Sequence, residues 1–75
     1  MKNRIQELRI DADLRQIDIA NAIGITQRKY SYAETGTQQV TDEILVKLAD
    51  FHNTSVDYLL GLTDERSPYP RKRAK

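Results

Sequence analysis

Apolar residues along this chain recur at three- and four-residue steps, the spacing of one face of an α-helix, and no stretch shows the alternation of a half-buried strand. Ile5, Leu8 and Ala12 predict a first helix from about Asn3 to Asp13, after which Leu14 drops into the core from the connection. A second helix, Gln16 to Ile23, stops at Gly24, which can take the left-handed conformation of a sharp turn. Ile19, Ala20, Ile23 and Ile25 flank that break, so the second and third helices must fold against each other. Thr26 is a good N-cap for the third helix, which ends at Thr35 with Gly36 as its stop, and Thr37-Gln38-Gln39-Val40 reads as loop. Thr41 caps a fourth helix with Asp42 and Glu43 in its first turn, where the helix dipole favours acids. Its apolar stripe is Ile44, Leu45, Leu48 and Phe51, and Asn53 ends it. Ser55 caps a short fifth helix, Val56 to Leu60, stopped by Gly61. Five helices with short connections predict an all-α domain over residues 1–63, followed by an extended, proline-containing tail over 64–75.

At 75 residues the chain is one small domain. Such a domain buries only about 60% of its unfolded surface, which leaves no room for a deep substrate cleft. There is no cysteine, so neither a disulfide nor a thiolate metal site is available. No apolar run approaches the roughly 20 residues of a membrane span, and the charged N-terminus is unlike a signal peptide, which makes a cytoplasmic protein the expectation. The net charge of +1 conceals an asymmetry. Residues 1–62 carry seven basic side chains against nine acidic ones, whereas Arg66, Arg71, Lys72, Arg73 and Lys75 make the tail basic. A slightly acidic body argues against indiscriminate binding of polyanions, because non-specific affinity comes from neutralising phosphates.

Turning the third helix by about 100° per residue separates it into two faces. Thr26, Tyr30 and Ala33 share the side that must pack on the body, while Gln27, Arg28, Ser31 and Tyr32 share the other. An ordinary solvated face can have a similar composition. What separates this one is its place after a glycine-punctuated helix pair and the chemistry of its side chains. Gln27 can bond bidentately to the N6 and N7 edge of adenine, and Arg28 to O6 and N7 of guanine. Tyr32, one turn on from Arg28, can meet a thymine methyl or a phosphate. Lys29, on the flank, suits a phosphate, as does the N-terminus of the second helix near Gln16.

These elements, in this order and spacing, resemble the lambda-repressor-like helix-turn-helix proteins of the Xre/Cro type over about residues 3–63. The residues that carry the resemblance are Gln16, Ala20, Gly24-Ile25-Thr26, Glu34-x-Gly36 and KLADFHNTSVDYLLGLTD over 47–64. The resemblance implies a compact five-helix domain that places its third helix in the major groove of a double-stranded DNA operator. It implies Gln27 and Arg28, with Tyr32 further along, as base readers and Gln16 as a phosphate contact; the exposed face adds Ser31 to the base readers, and Lys29, Arg15 and the neutral loop residues Thr37 and Gln38 complete the candidate phosphate contacts. It also implies a partly buried pair, Arg9 with Glu34, that positions the third helix. Relatives of this type commonly repress transcription as homodimers on palindromic sites. Three departures stand out. Arg15 lies where Ser, Thr or Asn usually caps the second helix, so a weak cap is expected, although an arginine there could reach a phosphate. The loop after the third helix is uncharged, which predicts a shallow salt dependence. Ala33 replaces a larger residue, and Tyr30 is expected to fill that volume.

Other features carry less. His52 lacks the companions a metal site needs, the carboxylates are scattered over helix starts and exposed faces, and Ser31 and Ser55 have no base beside them in sequence. Neither catalysis nor a cofactor is expected. Tyr58, Leu59, Leu60 and Leu62 are too many large apolar groups for one short helix, and serve either as core or as a dimer contact. The basic tail can be a solvated run, lie along phosphates, or place Tyr69 against the body. The rival to a DNA-binding regulator is a protein-binding module on the same fold, such as an antitoxin or an antagonist of another regulator.

Overall fold

The computed structural model describes residues 4–36 and 40–68, and among them the chain is all-helical. The helices are α1 (Ile5–Asp11), α2 (Gln16–Ile23), α3 (Gln27–Thr35), α4 (Asp42–Phe51) and α5 (Val56–Leu59). One apolar core joins all five. Ile5 and Leu8 enter it from α1, Ile19, Ala20 and Ile23 from α2, Tyr30 and Ala33 from α3, Ile44, Leu48 and Ala49 from α4, and Leu59 from α5. Leu14 and Ile25 pack against it from the connections on either side of α2. Tyr30 is fully buried and is the largest such side chain, in the same core as the small, buried Ala33.

Local chemistry sets the helix ends. The hydroxyls of Thr26, Thr41 and Ser55 each accept a hydrogen bond from the backbone N–H three residues on, at 3.1, 3.3 and 3.1 Å. Each such cap contributes about 0.5–2 kcal/mol. Gly24 closes α2 with φ +78, and a Cβ placed there would meet nothing within 4 Å. The demand at Gly24 is therefore conformational, about 1–2 kcal/mol for any residue with a side chain, and not a matter of space. Arg15, at the N-cap of α2, has no acceptor to offer the helix. Half of the usual reciprocal arrangement survives, since the Asp18 carboxylate accepts the Arg15 N–H at 3.0 Å.

The helical pattern overreached in two places. α1 ends at Asp11, with Ala12 exposed as its C-cap and Asp13 in the left-handed region at φ +59. Ala12 is thus outside the core because the chain has already turned; the expected start at Asn3 lies outside the described residues. Phe51, expected in the α4 stripe, is 40% exposed. It is the last residue of α4, lines an open groove with Ala22 and Ile23 of α2, and sets its ring edge-on to His52 at 5.1 Å. Leu62 is 64% exposed, whereas Leu59 carries the anchoring of α5.

α5 has a single turn and cannot persist alone. Arg4 fastens it: its N–H donates to the Leu59 carbonyl at 2.8 Å, and its guanidinium lies 4.2 Å from the centre of the Tyr58 ring. The same guanidinium donates to the Thr63 carbonyl at 3.0 Å and to Asp64 at 2.7 Å. Further on, the buried Thr54 hydroxyl donates to the Arg66 carbonyl at 2.5 Å. Contacts therefore cross the expected boundary at residue 63, and the chain remains tied to the body as far as Arg66. Tyr69 and the basic residues from Arg71 onward lie outside the described residues.

Candidate nucleic-acid interface

The packing of α3 decides which of its side chains are available. Burial of Tyr30 and Ala33 turns Gln27, Arg28 and Lys29 fully outward and leaves Ser31 and Tyr32 half-buried at the edge of the same face. The exposed start of α3 is a rigid platform. Its N-cap is made by Thr26, and the turn before it is closed by the Ile25 N–H donating to the Ala20 carbonyl at 2.9 Å. No hydrogen bond or ion pair among the described residues occupies the side chains of Gln27, Arg28 or Lys29. An amide, a guanidinium and an ammonium are thus presented free on a fixed backbone.

Behind this face lies a polar knot that ties three helices together. Arg9 of α1 grips Glu34 of α3 with Nε at 2.5 Å from Oε2 and Nη2 at 3.3 Å from Oε1. Its remaining arm donates to the Leu14 carbonyl at 2.9 Å. Gln16, the first residue of α2, donates its side-chain N–H to Glu34 Oε1 at 2.9 Å. The Glu34 side chain is 3% exposed and that of Arg9 is 16%. Burial alone would raise the Glu34 carboxyl, but the hydrogen bonds from Arg9 and Gln16, the neighbouring Tyr30 phenol and the Arg9 charge outweigh it and hold the group below its ordinary range. Tyr30 responds in the opposite sense: burial and the adjacent carboxylate push its phenol up. Its hydroxyl is buried without a geometrically good hydrogen bond.

The expected phosphate contacts divide. Lys29 is exposed beside Gln27 and Arg28. Gln16 is turned inward to Glu34 through one of its two N–H groups, leaving the other to donate. Arg15 is paired with Asp18 through Nε at 3.1 Å and Nη2 at 2.9 Å. Thr37 and Gln38 lie outside the described residues. Sequence reasoning missed two participants, Asp18 and Leu14. Asp18 was legible as an acid three residues beyond an arginine; the Leu14 carbonyl carries no side-chain signal. Among the described residues no cluster of His, Cys, Asp and Glu could hold a metal ion, and no helix is long and apolar enough to cross a membrane.

Comparison with known proteins agrees with this geometry. The family model described as helix-turn-helix matches residues 5–59. The chain is 36% identical over 59 residues to the cryptic phage CTXphi transcriptional repressor RstR of Vibrio cholerae, covering 79% of this chain and 53% of that protein. It is 37% identical over 65 residues to the uncharacterized HTH-type transcriptional regulator YobD of Bacillus subtilis (strain 168), covering 87% of this chain and 58% of that one. The chain therefore spans little more than half the length of these curated relatives. No solved structure gives a significant match. The matched span runs from the first core residue of α1 to the last of α5, and encloses the α2–turn–α3 unit with its buried tie to α1: the chain belongs to the helix-turn-helix family, in its lambda-repressor-like, Xre/Cro form.

Proposed function

We propose that this chain is the DNA-binding part of a cytoplasmic transcriptional repressor that places α3 in the major groove of an operator. The observation that carries the reading is the outward start of α3, where Gln27, Arg28 and Lys29 stand exposed and unpaired on a helix locked from behind by Glu34. Gln27 and Arg28 reach base edges, Ser31 and Tyr32 extend the reading along the groove, and Lys29 takes a phosphate. Gln16, Arg15 and the loop residues Thr37 and Gln38 flank the groove as backbone contacts. Two copies bind a palindromic operator, with half-sites about 34–36 Å apart. The repressor role of the Vibrio relative supports the sign of regulation.

A gel shift with the DNA upstream of the protein's own gene, at two salt concentrations, tests this. Arg28→Ala is expected to cost about 1–3 kcal/mol and to relax preference at one base pair, while Lys29→Ala weakens all sequences alike. A uniform loss from Arg28→Ala removes it from the base readers. Failure of the wild type to bind at low salt favours the rival reading, a module whose α3 meets a protein. The excess of acidic over basic side chains in residues 1–62 is the observation on that side.

A further inference from the structure

The cation that the DNA-binding reading places at the entrance of α2 is already held by a carboxylate of its own helix. Asp18 meets the Arg15 guanidinium in a fork, Oδ1 to Nη2 at 2.9 Å and Oδ2 to Nε at 3.1 Å. This is the two-pronged geometry in which arginine takes either a carboxylate or a phosphate. Asp18 is fixed in place, because Oδ2 also accepts the backbone N–H of Arg15 at 3.0 Å. The Arg15 side chain is 80% exposed and that of Asp18 only 35%, so the fork stands at the surface, open to an incoming anion.

We infer that Asp18 is an internal phosphate surrogate, which occupies the guanidinium that a DNA phosphate would use and thereby sets the affinity and salt dependence of DNA binding. The inference rests on the DNA-binding reading above. When Arg15 turns to a phosphate it must leave Asp18, and the exposed carboxylate then faces the DNA. Each neutralised phosphate of a duplex releases about 0.9 of a counterion. A bared carboxylate at the interface draws a cation back, so the exchange releases almost none. Lys29, which is in no ion pair among the described residues, faces no such exchange. Arg15 thus adds little to binding as the chain stands, and Asp18 is the reason.

The test is fluorescence anisotropy with a mixed-sequence duplex, whose binding is dominated by phosphates and needs no knowledge of the operator. Asp18→Asn keeps an oxygen for the Arg15 N–H and removes the charge. It is expected to tighten binding about 5-fold at about 50 mM salt, and to steepen the slope of log affinity against log salt by about 0.9, so that the advantage shrinks about 3.5-fold by about 200 mM. Arg15→Ala is expected to leave the slope unchanged in the wild type and to abolish the gain in the Asp18→Asn background. An unchanged slope in Asp18→Asn, or weaker binding at an unchanged unfolding temperature, overturns the inference. Should Asp18→Asn fail to fold, Asp18→Ser, which also keeps an acceptor without the charge, is read by the same criteria. If neither the wild type nor the variant binds the duplex at low salt, the DNA-binding reading falls and takes the inference with it.

Discussion

Removing the Glu34 carboxylate is expected to destabilise the domain far more than loss of a surface ion pair would. In Glu34→Ala, Arg9 keeps its hydrogen bond to the Leu14 carbonyl but loses both carboxylate contacts, and its side chain is only 16% exposed. Gln16 loses its partner as well. Stranding one charge of a buried pair costs about 3–5 kcal/mol, and partial access of Arg9 to water places the expected loss near the lower bound, about 3 kcal/mol. For a chain this small, 1 kcal/mol moves the midpoint of thermal unfolding by about 4–8 °C, so the shift should be about 12–24 °C.

Circular dichroism melts of the wild type, Glu34→Ala, Arg9→Met and the double variant Arg9→Met/Glu34→Leu measure this directly. The double variant should recover most of the loss, since it leaves no stranded charge and fills the volume with apolar groups. A loss under about 1 kcal/mol in Glu34→Ala is the behaviour of an exposed pair and refutes the reasoning. The carboxyl also gives the domain an acid limit. Because it titrates below its unfolded value, its contribution is complete above about pH 4.5 and is lost as pH falls through the folded pKa.

His52 produces a separate, milder pH dependence. Burial, reinforced by the Arg66 charge, holds its pKa below 6.5, so unfolded chains take up the proton first; stability should be full above about pH 6.5 and decline as pH falls below it, and His52→Asn should flatten a pH series of melts between about 5 and 7. Thr54→Val removes the buried hydroxyl that holds the Arg66 carbonyl and is expected to cost about 0.5–1.5 kcal/mol with faster proteolysis after Arg66, whereas an unchanged cleavage rate shows that this bond does not hold the segment. Tyr30→Phe deletes a buried hydroxyl that lacks a good hydrogen bond, so the melting temperature should hold or rise; a loss above about 1 kcal/mol shows that the phenol supports the Glu34 knot.

How much of this was legible in sequence depended on whether a signal was local. The caps at Thr26, Thr41 and Ser55 and the left-handed stops at Gly24 and Gly36 are set by residue type within one turn, and the structure has them where the residues stand. Periodicity placed Tyr30 and Ala33 inside and Gln27 and Arg28 outside, as the structure has them, but it also put Thr26 on the packed side, where the structure exposes it as the N-cap, and Ser31 and Tyr32 on the open side, where they are half-buried. It failed at helix ends, where a stripe continues on paper after the chain has turned: Ala12 follows α1 and Phe51 closes α4, and both are exposed. The contacts that tie 63–66 to the body were hidden for another reason. Two of them run through the backbone carbonyls of Thr63 and Arg66, which no side-chain pattern announces, and the third joins Arg4 to Asp64 across the length of the domain. The Arg9–Glu34 contact joins α1 to α3 across 25 residues, and only the family resemblance, not spacing, pointed to it.

The distribution of paired charge gives these details a common sense. Arg4 is engaged by Asp64, Arg9 by Glu34, Arg15 by Asp18 and Lys47 by Glu43. Among the described residues, the cations in no ion pair are Arg28 and Lys29 at the start of α3, and Arg66. The described residues thus leave few cations for indiscriminate attraction to phosphate, which scales with the number of phosphates neutralised. Under the proposed function, Arg28 stands where a side chain would meet a base edge and Lys29 beside a phosphate. On the same reading this arrangement would trade affinity for discrimination: weak binding to any duplex, and a gain only where Gln27 and Arg28 find their bases. The trade has a measurable form. The ratio of operator to mixed-sequence affinity should fall in Asp18→Asn, because a freed Arg15 adds its phosphate contact in full on a mixed-sequence duplex but adds less on the operator, where the contacts of α3 already fix the register. An unchanged ratio would mean that Arg15 contributes the same contact in both complexes and that its pairing with Asp18 adjusts affinity alone.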